Sequence, residues 1–431
     1  MQKIPKRISN IIMNSLKGGV VPQNGVRHIT VGRKDEIDAL LKDAEIIEDA
    51  GSTFRFIVGK FGTGKSFLIQ AFKTYILEKG FICMETDLSP ERRLVGNNNQ
   101  GLATYRQLVQ NMSSKTKPEG GALQLVLEKW ISQINKEVLE ENPNIDMSSD
   151  EYKNLIKNKI ILVINEIENL VNGFEFAKVI YMYWDAYINN DLELKNKILK
   201  WLRGEYNTKT DAKNELGINS IITDDNWYEY IKLYTVFLTK VGYKGLFVFI
   251  DELINLYKIP NQIARQYNYE KILTMYNDTL QGKISNLGII MCGTPQTIED
   301  TKRGVFSYEA LKSRLEDSRY SSEDTRDLMA PIIRLKPLTH EEIFVLLDKL
   351  SDIHSDLYDY KKVITGTEIQ NFINTEYSRL GAKENLTPRE IIRDFIEIMN
   401  TLYQYPNKKM EDLIKNKSME EITIDNTIFE I

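Results

Sequence analysis

An α/β fold built on a parallel sheet is predicted for this chain, and three observations predict it. The apolar run "FRFIV" leads into the glycine-rich stretch "GKFGTGKS", Gly59–Ser66, and "FLIQAFKTYILEKG" follows with helical spacing of its apolar residues. A second apolar segment, "GFICME", closes that helix into a strand–helix–strand unit. Three later runs, "GLFVFI" (245–250), "LGIIMCG" (287–293) and "APIIRL" (330–335), are almost continuously apolar, as strands covered on both faces must be.

Taken in order, residues 1–50 read as a helical lead-in that ends in "ITVGRKDEIDALLKDAEIIEDAG", where a turn at Gly32 opens a helix. Strand 54–59, helix 64–79 and strand 81–86 form a βαβ unit, parallel and right-handed by the crossover rule. In "DLSPERR", Ser89 and Pro90 resemble an N-cap and a first helical residue that end the strand. From about 100 to 240 the chain is mostly helical, with breaks at "SSKTKPEGG", "ENPNIDMSS" and "NTKTDAKNELGINS". "NKIILVIN" has a strand's composition, but its continuation "EIENLVNGFEFAKVIYMYWDAY" favours one long helical region. After "KPLTHEE" helices resume; Thr339 and Glu342 stand at capping-box spacing, as do Thr387 and Glu390. The domain reading is a lead-in (1–50), a core (51–336) with a large helical insertion at about 100–240, a helical lid (337–405) and a tail (406–431).

Composition bounds the function. No apolar run approaches the roughly 18 residues of a membrane span, so no membrane partner is expected. The opening "MQKIPKRISNIIMNSLKGGVVPQNG" lacks a secretory apolar region and a small-residue cleavage site, which makes the cytoplasm the expected location. Cys83 and Cys292 sit inside apolar runs and read as buried small hydrophobes, while His28, His340 and His354 are too scattered for a zinc site. A formal net charge of −5 argues against coating nucleic acid by bulk charge and leaves room only for a local basic groove.

"GKFGTGKS" fits the pattern G-x-x-x-x-G-K-[S/T] between a strand and a helix, the context that motif needs. Gly59, Lys60, Phe61, Gly62, Thr63 and Gly64 supply a turning loop whose backbone N–H groups can face phosphate oxygens, helped by the positive end of the next helix. Lys65 then reaches the β and γ phosphates of ATP, and Ser66 ligates Mg2+. "GLFVFIDEL" places Asp251 and Glu252 at the carboxyl end of a buried strand, the edge where open parallel sheets take ligands. Asp251 is suited to hold Mg2+ and Glu252 to polarise an attacking water, which favours hydrolysis over passive binding. Thr294, closing "GIIMCGT", is either a contact to the γ phosphate or a turn residue before Pro295. Arg314 lies one helix beyond that strand, where it can act on a neighbouring subunit's nucleotide or pair with Glu316 on the surface; Arg319 and Arg326 compete for the same role. Arg389, in the first turn of a capped helix, opposes the helix dipole and so suggests a compensating anion, or else pairs with Glu390 or Asp394.

Together these pieces resemble an AAA+ ATPase of the P-loop (ASCE) class, with "GKFGTGKS" as Walker A, "LFVFIDE" as Walker B, Thr294 at the sensor 1 position, Arg314 at the finger position and Arg389 at sensor 2. Val31, Gly32 and Arg33 look like the adenine-side element of the initiator-like and signalling branches. A closer likeness spans nearly the whole chain: "GGVVPQNGVRHITVGRKDEI", "RFIVGKFGTGKSFLIQ", "DLSPERRLVG", "WLRGEYNTKTDAKNELGI" and "GYKGLFVFIDEL" look like the ATP-binding protein of BREX-type anti-phage systems. That resemblance implies a bacterial or archaeal defence ATPase, encoded beside a helicase or other DNA-directed partner, with ATP and Mg2+ as cofactors. The resemblance does not reveal the step being powered; the leading reading is nucleotide-driven assembly, with copies of itself as a homo-oligomer or with that partner, and the acidic charge balance leaves DNA contact mostly to the partner. A slow nucleotide-gated signalling switch and a direct DNA-remodelling motor are the alternatives. The stretch from Lys65 to Asp251 exceeds a minimal AAA+ core, so the helical insertion belongs there. The tail is too short for the winged helix of the initiators, which weakens direct sequence reading of DNA.

Overall fold

The computed structural model describes residues 4–168, 170–316, 326–378 and 387–414. Strands β1 (Ser52–Val58), β2 (Ile82–Asp87), β3 (Leu246–Asp251), β4 (Leu287–Gly293) and β5 (Ile332–Arg334) form one sheet in the order β2-β3-β4-β1-β5. The pairs β2·β3, β3·β4 and β4·β1 are parallel. β3 and β4 are buried along nearly their whole length, as their unbroken apolarity predicts. Inserting β3 and β4 between β1 and β2 is the arrangement of the AAA+ core, so the predicted fold class holds. The sheet carries flanking helices, helical insertions and a C-terminal helical region.

The helices, in chain order, are α1 (Lys6–Lys17), α2 (Val26–Ile29), α3 (Lys34–Glu48), α4 (Lys65–Glu78), α5 (Gln100–Gln110), α6 (Leu123–Glu141), α7 (Asp150–Glu168) and α8 (Gly173–Ile188). They continue as α9 (Leu192–Leu202), α10 (Lys209–Leu216), α11 (Trp227–Lys240), α12 (Ile254–Tyr257), α13 (Gln262–Leu280), α14 (Pro295–Glu299) and α15 (Glu309–Leu315). The last three are α16 (His340–Leu357), α17 (Gly366–Ser378) and α18 (Pro388–Gln404).

Two compact units result. One gathers residues 1–37, 59–74 and 334–431; the other holds 38–58 and 75–333. In the first, α1, α16, α17 and α18 share a core of Ile12, Ile343, Leu347, Phe372, Ile391 and Phe395. Both predicted capping boxes are present there, with Thr339 and Glu342 closing the start of α16 and Thr387 and Glu390 that of α18. In the second unit, one apolar cluster runs from the sheet residues Phe56, Met84 and Val248 into the helices of the insertion, including Trp130, Trp201 and Tyr234. The insertion is therefore fused to the sheet's own core. Buried polar groups tie it down: the Trp227 indole donates to the Leu94 carbonyl at 3.0 Å, and the Tyr105 and Tyr234 hydroxyls donate to the Leu202 carbonyl at 2.7 and 3.1 Å.

Three local expectations are corrected. No helix begins at Ser89: Ser89 and Arg92 exchange backbone hydrogen bonds around Pro90, and the Ser89 hydroxyl accepts from the Glu91 and Arg92 amides at 3.2 Å each. The same hydroxyl geometry that caps helices here closes a turn, and the next helix waits until Gln100. The long helical region expected from "NKIILVIN" onward is helical but broken, because Asn172 takes a left-handed backbone (φ 59°) before Gly173 and starts α8 anew. The stretch "NTKTDAKNELGINS" is not wholly a break either. Thr208 accepts from the Asp211 amide and Gly217 turns left-handed at the other end, enclosing α10.

Candidate functional site

In the first unit the chain turns through Gly59–Gly64 into α4. Gly62 and Gly64 have φ of 76° and 92°, values that a residue with a Cβ reaches only with strain. Gly62 has a second reason to lack a side chain, since a Cβ there would stand 2.7 Å from Cβ of Thr387, the N-cap of α18. The Thr63 hydroxyl donates to the Lys60 carbonyl at 2.9 Å, and the Leu68 amide reaches the Gly64 carbonyl at 2.9 Å, opening the helix. Lys65 Nζ folds back onto the carbonyls of Gly59 and Lys60 at 2.8 and 3.0 Å and lies 5.5 Å from the centre of the Phe61 ring. Phe61 is 60% exposed at the tip of the loop, and Ser66 is exposed in the first turn of α4.

Around that loop, Val31 and Gly32 lead into α3, with Gly32 at φ 68°. Arg33 is 4% exposed and donates from Nη1 to the Lys336 carbonyl at 3.0 Å and from Nη2 to the Thr63 carbonyl at 2.9 Å. Arg389 is exposed, and neither suggested carboxylate takes it: Glu390 accepts from the Thr387 amide in the capping box, and Asp394 lies 3.5 Å from Arg393. Its side chain instead runs beside Gly19, where an added Cβ would stand 3.4 Å from Arg389 Cδ.

In the second unit, the carboxyl ends of the strands gather acidic groups. Asp87 at the end of β2 is in register with Asp251 at the end of β3. Burial, then the charges of Asp251, Glu252 and Glu85, push the Asp87 carboxyl above its ordinary range, and Arg92 offsets part of this. Asp251 Oδ1 accepts from the Glu252 amide at 2.7 Å, and Glu252 itself has a left-handed backbone, φ 61°. The Asn255 amide group locks this turn to β2 by donating to the Leu88 carbonyl at 2.7 Å. In the same unit Val58 is in register with Gly293, so the residues before Gly59 and before Thr294 are paired. Thr294 is 7% exposed and caps α14, accepting from the Thr297 amide at 3.2 Å and sharing a 2.8 Å hydrogen bond with the Thr297 hydroxyl. Arg314 is exposed and donates to the Ala310 carbonyl of its own helix, while Glu316 pairs with Lys312 at 3.5 Å. Arg326 is half-buried ahead of β5, and Arg319 lies outside the described residues.

These donors suit the expected cofactors. A loop with two left-handed glycines followed by a helix N-terminus offers backbone N–H groups to an anion. Among the described residues no group of three or more His, Cys, Asp or Glu forms a ready cation cage. Mg2+ on a nucleotide needs only one or two protein ligands beside phosphate and water, and the acidic ends of β2 and β3 offer carboxylates of that kind. Asp87 escaped the sequence reading, although an acid ending β2 as Asp251 ends β3 was there to be noticed. Among the described residues no helix is long and apolar enough to cross a membrane. A sequence-family model described as BREX system ATP-binding protein BrxC/D matches residues 4–418. No curated protein matches the chain.

Proposed function

Because this chain belongs to the BREX system ATP-binding protein BrxC/D family, whose members are ATP-binding proteins of an anti-phage defence system, we propose that it binds ATP with Mg2+ and hydrolyses it. The observation that carries this reading is the Gly59–Ser66 loop, with two left-handed glycines between a buried strand and the N-terminus of α4. Its amides and Lys65 take the phosphates. Ser66 and Asp251 ligate Mg2+, which when bound neutralises charge developing on the transferred phosphoryl group. Glu252 polarises the attacking water, and Asp251 orients it by accepting from the Glu252 amide. Thr294 answers to the γ phosphate or the water. Val31, Gly32 and Arg33 flank the nucleotide from the N-terminal side, Arg389 adds positive charge from α18, and Arg314 serves a neighbouring copy's nucleotide. Hydrolysis powers assembly of a homo-oligomer or of a complex with a helicase or other DNA-directed defence protein.

The decisive test is Lys65→Ala. The residue lies on the loop and contributes phosphate attraction rather than core packing, so the variant is expected to keep its circular-dichroism spectrum and unfolding midpoint while losing ATP binding by calorimetry. Wild-type ATP affinity in the folded variant would end the phosphate-loop reading.

A further inference from the structure

We propose that Arg33 is a positioning residue for phosphate, fixing the loop peptide that presents the Gly64 N–H to an anion, and not a contact to the base. The inference rests on the ATP reading above and assigns Arg33 a different part in it. Three observations lead to it. The guanidinium is buried, at 4% exposure, and two of its nitrogens are already committed to carbonyl oxygens, those of Thr63 and Lys336. At that exposure little of the guanidinium is left open for a base to reach. Next, the bond to Thr63 acts on the loop itself. Among the described residues no peptide is cis, and in a planar trans peptide the C=O of one residue and the N–H of the next point to opposite sides. Drawing the Thr63 oxygen toward Arg33 therefore turns the Gly64 N–H away from it. A charged donor on that oxygen also polarises the peptide and strengthens its N–H as a donor. The aim is thus set before an anion arrives.

The third observation is how the guanidinium is itself held. Its other prong bonds Lys336, in the segment between β5 and α16, and Glu36, 3% exposed, stands 4.0 Å away on the next turn of α3. Gly32, the preceding residue, lies so close to α16 that a Cβ would meet the Glu342 carboxyl carbon at 2.4 Å. Arg33 is anchored outside the loop and reaches into it. Lysine, a single point charge, cannot span both carbonyls as the planar fork does.

Calorimetry with two probes tests this: Mg-ATP, and magnesium with inorganic tripolyphosphate, which has the phosphates and no base. Arg33→Ala is expected to weaken both by the same factor, about tenfold or more, and Arg33→Lys to recover part of both in step. Loss of ATP affinity with tripolyphosphate binding unchanged would make Arg33 a base contact and overturn the proposal. Unchanged affinity for both probes would also overturn it, as would a wild type that binds ATP but not tripolyphosphate. If Arg33→Ala does not fold, Arg33→Lys and Glu36→Gln carry the same comparison, since each loosens the fork and leaves a cation in place. Lys65→Ala run beside them separates the two readings. A wild type that binds neither probe, or a Lys65→Ala variant that binds both normally, sinks the ATP reading and this inference together; normal loss at Lys65 with no loss at Arg33 sinks this inference alone.

Discussion

Glu252 is the residue where stability and chemistry pull apart. A left-handed backbone costs a non-glycine residue about 1–2 kcal/mol, and strain of this kind persists where the surroundings fix it. Glu252→Gln keeps shape and loses basicity, so ATP binding is expected to survive and steady-state turnover to fall at least about tenfold. Glu252→Gly is expected to abolish turnover while holding or raising stability, by up to about 1 kcal/mol in urea denaturation. Gly62→Ala should do the reverse of a relief: it places a Cβ at φ 76° and against Thr387, a loss of about 1–2 kcal/mol or more. His354 supplies a pH dependence. It is fully buried, its Nδ1 accepts from the Tyr360 hydroxyl at 2.7 Å, and its Nε2 donates to Asn400 Oδ1 at 3.1 Å. Burial holds its pKa below the usual 6.5, although the bond to Asn400 works the other way, and Tyr358 and Tyr403 stand beside the ring. The unfolded chain therefore takes up the proton first. This stabilisation is complete above about pH 6.5 and is lost as pH falls toward the folded pKa, by at most about 1.4 kcal/mol per pH unit. Thermal melts should show wild type losing its advantage over His354→Gln between pH 7 and pH 5.5.

Among the elements, the helix starts of the first unit were the most legible part of the chain. Thr339 with Glu342, and Thr387 with Glu390, declare themselves by spacing because both partners lie within one turn. Thr339→Ala and Thr387→Ala should each cost about 1 kcal/mol in chemical denaturation. The buried strands were equally plain, since only a strand covered on both faces reads "LFVFI" and "LGIIMC" without a polar break. Ser89 was not, because a hydroxyl before proline serves a turn and a helix cap alike, and the residues beyond the proline decide between them. Least legible were contacts that span the sequence. Nothing local to Arg33 announces partners at Thr63 and Lys336, and nothing local to Asp87 announces that β3 will set Asp251 beside it.

For the whole molecule, the proposed assembly makes specific activity concentration-dependent. Arg314 is exposed and donates to the Ala310 carbonyl of its own helix, and Glu316 pairs with Lys312, so a neighbour's phosphates would compete with a backbone bond for its guanidinium. An arginine supplied in trans can be worth about 10³–10⁵ in rate, so activity per chain should rise with concentration. Mixing Arg314→Ala with Lys65→Ala chains should restore turnover that neither shows alone; flat activity and no recovery would return Arg314 to the surface. With 56 basic against 61 acidic residues, the isolated chain should bind duplex DNA only at about 10⁻⁴–10⁻⁶ M in physiological salt, and a helicase partner should tighten that. Nanomolar binding with DNA-stimulated hydrolysis in the chain alone would favour the motor alternative. The division of the chain also sets a timetable on the ribosome. The unit that holds the glycine-rich loop is written in three instalments, 1–37, 59–74 and 334–431, with the whole of 75–333 translated before the last of them. At about 5–20 residues per second that interval is roughly 10–50 s, during which Ile12 and Ile29 have emerged and the helices that will cover them have not been made. Nascent chains halted before residue 334 should therefore cling to chaperones through their first forty residues and let go once α18 has cleared the exit tunnel.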